Sequence, residues 1–292
     1  MPPPCMGDGE AHTGAPALAA TAARLSGLDA AAGFDVGLEP GGDWVALAAA
    51  TDSGHLDAWL AALVSLHGRR PLAGSLLGLQ LARAVIAPTV AALVLDRRCP
   101  DPAIDNLVVR VDAVTGLDGC AVRRPTVALL PTDPAATGRD SIVRADEDDL
   151  HQWWARRAAA TLAPILTAVR ARAPFGIRRL WGAVSDEVTG TAIEIAQLAG
   201  RDPYPAWRYA QRLLAALSVH APVALTRARP FPVAVPGGEV LCQVRGTCCL
   251  SYRSTTAAGP PADRYCDTCP LRDDQSRHRR LHDWLSSSVV PV

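Results

Sequence analysis

The sequence predicts an α+β fold: a mainly helical body, a small antiparallel β-sheet and a cysteine-rich C-terminal segment. Three observations carry this. Apolar residues recur at helical spacing over most of the chain. The stretch 107–130 switches to β-branched alternation punctuated by Gly and Pro. Four of the eight cysteines crowd between Cys248 and Cys269 of a 292-residue chain.

Residues 1–15 read as a disordered N-terminus with no basic region leading into an apolar core, hence not a signal peptide. The helical body with its small β-meander spans 16–238, and the cysteine segment spans 239–292. Within the body, residues 16–32 carry Leu18, Leu25 and Leu28 at helical spacing. After a Gly/Pro turn region and Trp44, Asp52 or Ser53 caps a helix whose apolar stripe is Leu56, Trp59, Leu60, Leu63 and Val64. Residues 73–95 read as one helix broken near Pro88, or as two. Gly74-x-x-x-Gly78 within it is a packing motif. The uncharged piece Ala84–Leu95 is about half a bilayer-spanning length, so no transmembrane segment is expected.

Leu107–Ala113, Gly119–Val122 and Thr126–Leu130 read as three strands of one antiparallel meander, followed by an exposed connection over 131–145. The acids at 146–149 mark a helix start, where the macrodipole favours them, and Arg170 and Arg172 mark its end. A second helix is predicted over Ile177–Leu198 and a third over Pro205–Val219. Short turns between the three argue for an antiparallel helical layer. From Pro222 the chain is extended, Glu239–Val244 is a short strand, and Leu271–Leu285 is a charged terminal helix.

Formal charge is zero, with 29 cations against 29 acids, so no basic field argues for nucleic acid or an anionic membrane. Every one of the cations is arginine, which fits a GC-rich coding bias. No Gly-x-Gly-x-x-Gly follows a strand and no phosphate-cradling loop is evident. The expected location is the cytoplasm, peripheral association with the inner face of a membrane included. In that compartment, clustered cysteines serve metals or catalysis more often than disulfides.

The cluster reads Arg245-Gly-Thr-Cys248-Cys249-Leu-Ser-Tyr-Arg253, an insert, then Arg264-Tyr-Cys266-Asp-Thr-Cys269-Pro-Leu-Arg272. Cys266-x-x-Cys269 is a standard bite for a metal. Adjacent cysteines on extended backbone diverge, so Cys248 and Cys249 face one centre only across a sharp turn, which Gly246 is placed to ease. Four thiolates complete the shell of a Zn²⁺ ion or of an iron–sulfur cluster. Cys5, Cys99, Cys120 and Cys242 read as inert. His278 and His282 lie one turn apart without an evident third ligand and read as solvated. Trp153, Trp154 and Trp181 at helical spacing read as core; a chelate-binding role for Arg178 and Arg179 is the less favoured reading.

Both halves of this motif, with Leu250, Tyr252, Arg253 and Pro270 around the thiols, resemble the C-terminal signature of the ferric siderophore reductases of the FhuF type. The close match covers about a tenth of the chain, and the insert between the cysteine pairs is longer than is usual in that family. The resemblance implies a [2Fe–2S] cluster on Cys248, Cys249, Cys266 and Cys269. It also implies one-electron reduction of a cytoplasmic ferric siderophore, hydroxamate-type favoured, with release of Fe²⁺. No nucleotide site is visible, so electrons are expected from an external donor such as a ferredoxin or a flavin reductase. Arg253, Arg264 and Arg272 are the candidate contacts for that partner or the substrate. Hydrogen bonds to sulfur are expected from the Gly246 and Thr247 amides or the Thr247 and Thr268 hydroxyls. The alternative is a non-redox siderophore- or partner-binding protein with a structural Cys₄ zinc site.

Overall fold

The computed structural model describes residues 15–28, 32–52, 54–112, 116–260 and 263–288. The expectations for residues 1–14 (Cys5 among them) and for the Ser53 cap lie outside these. The architecture is the expected α+β, dominated by helices.

The body starts with α1 (Ala15–Leu28), β1 (Asp35–Val36), β2 (Trp44–Ala46), α2 (Leu47–Asp52) and α3 (His55–His67). At its centre stands α4 (Arg70–Asp96), whose side chains are buried nearly all round from Leu72 to Leu95. An all-apolar circumference is what a helix surrounded by other elements requires; α1, α3, α5 and α6 all pack on it. By length and composition α4 could cross a membrane, but 83% of its most apolar window is buried inside the fold.

Pro88 does not break α4, contrary to expectation. Proline removes the N–H that would bond the carbonyl four residues back, here that of Ala84. The buried Cys120 thiol donates to the Ala84 oxygen instead, at 3.1 Å. A side chain from β5 thus takes over the acceptor that proline leaves unpaired. Gly74 and Gly78 are packing glycines: a Cβ on the first would lie 2.4 Å from the Ala173 Cβ, and on the second 2.4 Å from Leu180 Cδ2.

The predicted meander is corrected in its third strand. After β3 (Cys99–Pro100), strands β4 (Leu107–Asp112) and β5 (Gly116–Val122) pair antiparallel, with β2 antiparallel on β4 and β1 parallel on β5. By contrast β6 (Val127–Leu129) leaves that sheet. It lies antiparallel to β3 and parallel to β7 (Ser141–Val143), a strand within the stretch read as connection.

The three helices fall where periodicity put them: α5 (Glu147–Arg172), α6 (Ile177–Leu198) and α7 (Pro203–His220). Asp146 caps α5 by accepting the Asp149 amide at 2.8 Å. Trp153, Trp154 and Trp181 are core residues, at 7%, 0% and 0% exposure. The extended tail forms an antiparallel hairpin, β8 (Arg229–Val235) with β9 (Gly238–Val244), and α8 (Asp274–Ser288) packs on β8. This hairpin and helix bracket the cysteines.

Candidate metal centre

The hairpin is first fixed to α6. Gln243 on β9 accepts from the Thr189 hydroxyl at 2.5 Å and donates to the Asp186 carbonyl at 3.0 Å, and Gln197 donates to the Leu241 carbonyl. Directly after β9, the amides of Gly246 and Thr247 both donate to the Asp186 carboxylate, at 2.6 and 3.0 Å. Burial pushes this carboxyl up to about 7, against the two amides and Arg245, which favour its anion. Gly182 lets Thr247 sit against the helix, since a Cβ there would lie 1.9 Å from the Thr247 hydroxyl oxygen. Gly246 is needed for a similar close approach: its Cβ would stand 2.9 Å from the Arg227 carbonyl oxygen.

The sharp turn required of Cys248-Cys249 is made one residue later than expected. Leu250 adopts a left-handed conformation, φ +64°, and a short 3₁₀ turn, Ser251–Arg253, follows. A branched side chain tolerates this region poorly, and burial of Leu250 in the main core holds it there.

The opposite limb is pinned by arginines. Arg272 is 6% exposed. Its guanidinium donates to the carbonyls of Cys266, Tyr265 and Asp263 and to the Ser276 hydroxyl. Arg277, 1% exposed, donates to the carbonyls of Asp267, Cys269 and Arg272 and pairs with Asp274. The two limbs are joined by the Arg245 amide, which donates to the Thr268 carbonyl at 2.9 Å.

The result is a crosswise pairing of thiols. Cys249 Sγ lies 3.7 Å from Cys266 Sγ, and Cys248 Sγ lies 3.7 Å from Cys269 Sγ. All four are free rather than disulfide-bonded. A tetrahedral metal with metal–sulfur bonds of about 2.3 Å separates its sulfurs by about 3.8 Å, so each pair has the bite of one metal ion. Yet among the described residues no three His, Cys, Asp or Glu side chains gather closely enough to hold a single ion. The two bites lie side by side, because each takes one of the adjacent residues Cys248 and Cys249, an arrangement open to a group with one metal per bite.

Electrostatics favour one thiolate in each pair. The hydrogen bond with Cys266 holds the Cys249 thiol down to about 4, against burial and with help from Arg245 and Ser251. Its hydrogen bond with Cys248 likewise lowers Cys269, to about 6. The partners Cys248 and Cys266 are raised, each chiefly by that same shared hydrogen bond. Arg245 reaches Cys249 Sγ at 3.5 Å, and its buried Nε has no partner among the described residues. A buried guanidinium with an unspent donor is what a group carrying further acceptors would satisfy.

Sulfur receives its hydrogen bonds from donors other than those expected. The Gly246 and Thr247 amides are committed to Asp186, and the Thr247 hydroxyl pairs with Thr226. The Leu250 amide, 3.4 Å from Cys248 Sγ, takes their place with Arg245 and with the Ser251 hydroxyl, which is placed to donate to Cys266 Sγ at 3.1 Å while accepting from Cys249 Sγ at 3.2 Å. Arg272 is corrected as a contact residue, because its guanidinium is turned inward. Arg253 is exposed and stacks on Tyr252, and Arg264 donates to the Gly259 carbonyl. Arg179 shares a small crevice with Arg245, Thr247 and Cys249. His278 and His282 stack on α8 with no third ligand among the described residues.

A larger cavity of about 710 Å³ opens beside the site, lined by Arg245 and Thr268 and by Arg83, Asp186, Glu187 and Glu194. Sequence reasoning missed Asp186, Arg245, Ser251 and Arg277. Comparison with family models and with curated proteins finds no match for this chain.

Proposed function

We propose that the chain is a one-electron ferric siderophore reductase whose cluster ligands are Cys248, Cys249, Cys266 and Cys269. One observation carries the reading: four free thiols arranged as two crosswise pairs at 3.7 Å, each pair drawing one cysteine from either limb. The sequence resemblance around them points the same way. A [2Fe–2S] group, when bound there, supplies a one-electron relay whose potential depends on charge and hydrogen bonds at sulfur.

The chain's own part is to hold and to present. Asp186 and the two tail arginines fix the limbs, so the thiols are prepaid in geometry. Arg245, Ser251 and the Leu250 amide place hydrogen bonds and positive charge at sulfur, which favours the added electron. No acid–base residue is required. Hydroxamate oxygens are hard donors that hold Fe³⁺ far more tightly than Fe²⁺, so a single electron delivered from a donor protein to the chelated Fe³⁺ loosens it and releases Fe²⁺.

The neighbouring cavity sets the carboxyls of Glu187 and Glu194 against the guanidinia of Arg83 and Arg245 and is otherwise lined largely by apolar side chains such as Leu79, Ile193 and Leu241, which suits a neutral hydroxamate chelate better than a polyanionic catecholate one. Exposed Arg253 suits an acidic electron carrier. Anaerobically purified protein, reduced with dithionite, is expected to reduce ferric hydroxamates with release of Fe²⁺. A colourless protein holding one zinc ion and inert toward every ferric chelate would overturn the proposal in favour of the structural zinc reading.

A further inference from the structure

A second cleft lies at the other end of α6. The cysteine site meets this helix at Gly182 and the cleft meets it at Ala196, about 20 Å apart at the helical rise per residue. The cleft encloses about 650 Å³, and four arginines line it: Arg97, Arg201, Arg208 and Arg212. Two carboxylates answer them. Glu147 pairs with Arg97 at 2.7 Å and with Arg212 at 3.0 Å. Asp202 is already turned to the Tyr204 amide as the cap of α7. Arg201 touches only the last carbonyls of α4, at 3.1 and 3.4 Å, and Arg208 has no carboxylate partner among the described residues.

The independent observation is Tyr209. It lines the same cleft and is 3% exposed, and its hydroxyl has no hydrogen-bond partner among the described residues. An orphaned buried hydroxyl is costly and calls for an explanation. The ring is held by the guanidinia of Arg97 and Arg212, at 4.2 and 5.3 Å from its centroid. Arg97 ends α4 in the left-handed conformation, φ +56°, its amide donating to the Leu93 carbonyl, a common way for a helix to stop. Here it turns the side chain onto both Glu147 and Tyr209. Excess guanidinia, an oriented ring and a spare O–H donor form a set that accepts oxyanions.

We propose that this cleft binds a small molecule carrying two or more oxyanion groups, with Tyr209, Arg201 and Arg208 as donors. The shared chemistry is that of a diphosphate or a tricarboxylate, and it is independent of the reading of the cysteine site. The test is calorimetric titration of the full-length, metal-loaded protein with pyrophosphate and, separately, with citrate. At low salt at least one binds with a Kd on the order of 0.1 mM or tighter, and the stronger of the two names the source. Tyr209→Phe keeps the ring and its cation contacts, so the variant folds as well as the parent or better. It is expected to weaken binding about tenfold. Arg201→Ala with Arg208→Ala is expected to weaken it further. Chelation of iron by the titrant is the same in every variant and cancels. Failure of both anions to bind, or equal affinity in the parent and both substituted proteins, overturns the proposal.

Discussion

Cys248 and Cys249 hang from the helical body through a carboxylate, Asp186 on α6, whereas Cys266 and Cys269 are tied to the chain's own tail through Arg272 and Arg277. The first limb offers backbone N–H groups, so it needs an acceptor. The second offers backbone carbonyls, so it needs donors. Each buried arginine satisfies several carbonyls at once, adding to the turn's own bonds from the Cys269 amide to the Cys266 carbonyl and from the Arg272 amide to the Cys269 carbonyl. The first limb is therefore registered to the body and the second is splinted by α8, and the metal bites exist only where the two meet.

The comparison can be broken most severely at the thiols. Because each pair draws on both limbs, replacing any one of the four cysteines with alanine is expected to lose metal affinity by at least the roughly 10- to 100-fold that outer-shell changes bring. Metal analysis on the four single variants checks this. Retention of full metal in any variant would remove that residue from the ligand set.

Next in size is Asp186. Asp186→Ala orphans two amides and is expected to cost about 3 kcal/mol in urea unfolding. Its folded carboxyl is lifted to about 7 by burial, above the value near 4 of an unfolded chain. A raised carboxyl favours the fold in its protonated form, so that contribution is complete below about pH 4 and fades as pH rises to about 7. The stability gap between the parent and Asp186→Asn should thus narrow over that interval. A gap that widens would contradict the assignment.

On the tail side, Arg277→Met keeps the stem and removes the donors to three carbonyls. We expect a loss of about 2 kcal/mol, read as faster hydrogen exchange in α8 and in 266–272 while α6 stays protected. Uniform loss of protection in both regions would mean that the limbs are not separately held. The smallest effect belongs to exposed Arg253. Arg253→Glu should slow reduction by an acidic carrier protein roughly two- to fivefold at low salt, an effect that added salt removes, and should leave reduction by dithionite unchanged.

The helical body was largely legible because periodicity is a local signal: α6 begins and ends where its apolar spacing does, and the acids at 146–149 mark a true start. What failed depends on partners distant in sequence. Pro88 reads as a break until Cys120 supplies a donor to the Ala84 carbonyl, 36 residues from it. Short strands such as β6 carry no record of which neighbour they choose. At the site, the gathering of the four thiols was readable, since cysteines in that spacing have few other uses. The turn at Leu250 was not, because a left-handed leucine is held by core packing alone. Arg272 misled because an arginine beside a metal motif resembles a docking cation until its carbonyl partners are known, and Asp186 lies 60 residues from the amides it holds.

The most direct measurement is chemical iron and acid-labile sulfide, per chain, on anaerobically purified protein. The crosswise thiol pairs predict about two of each, with visible thiolate-to-iron absorption. One zinc ion per chain with no sulfide would contradict the account.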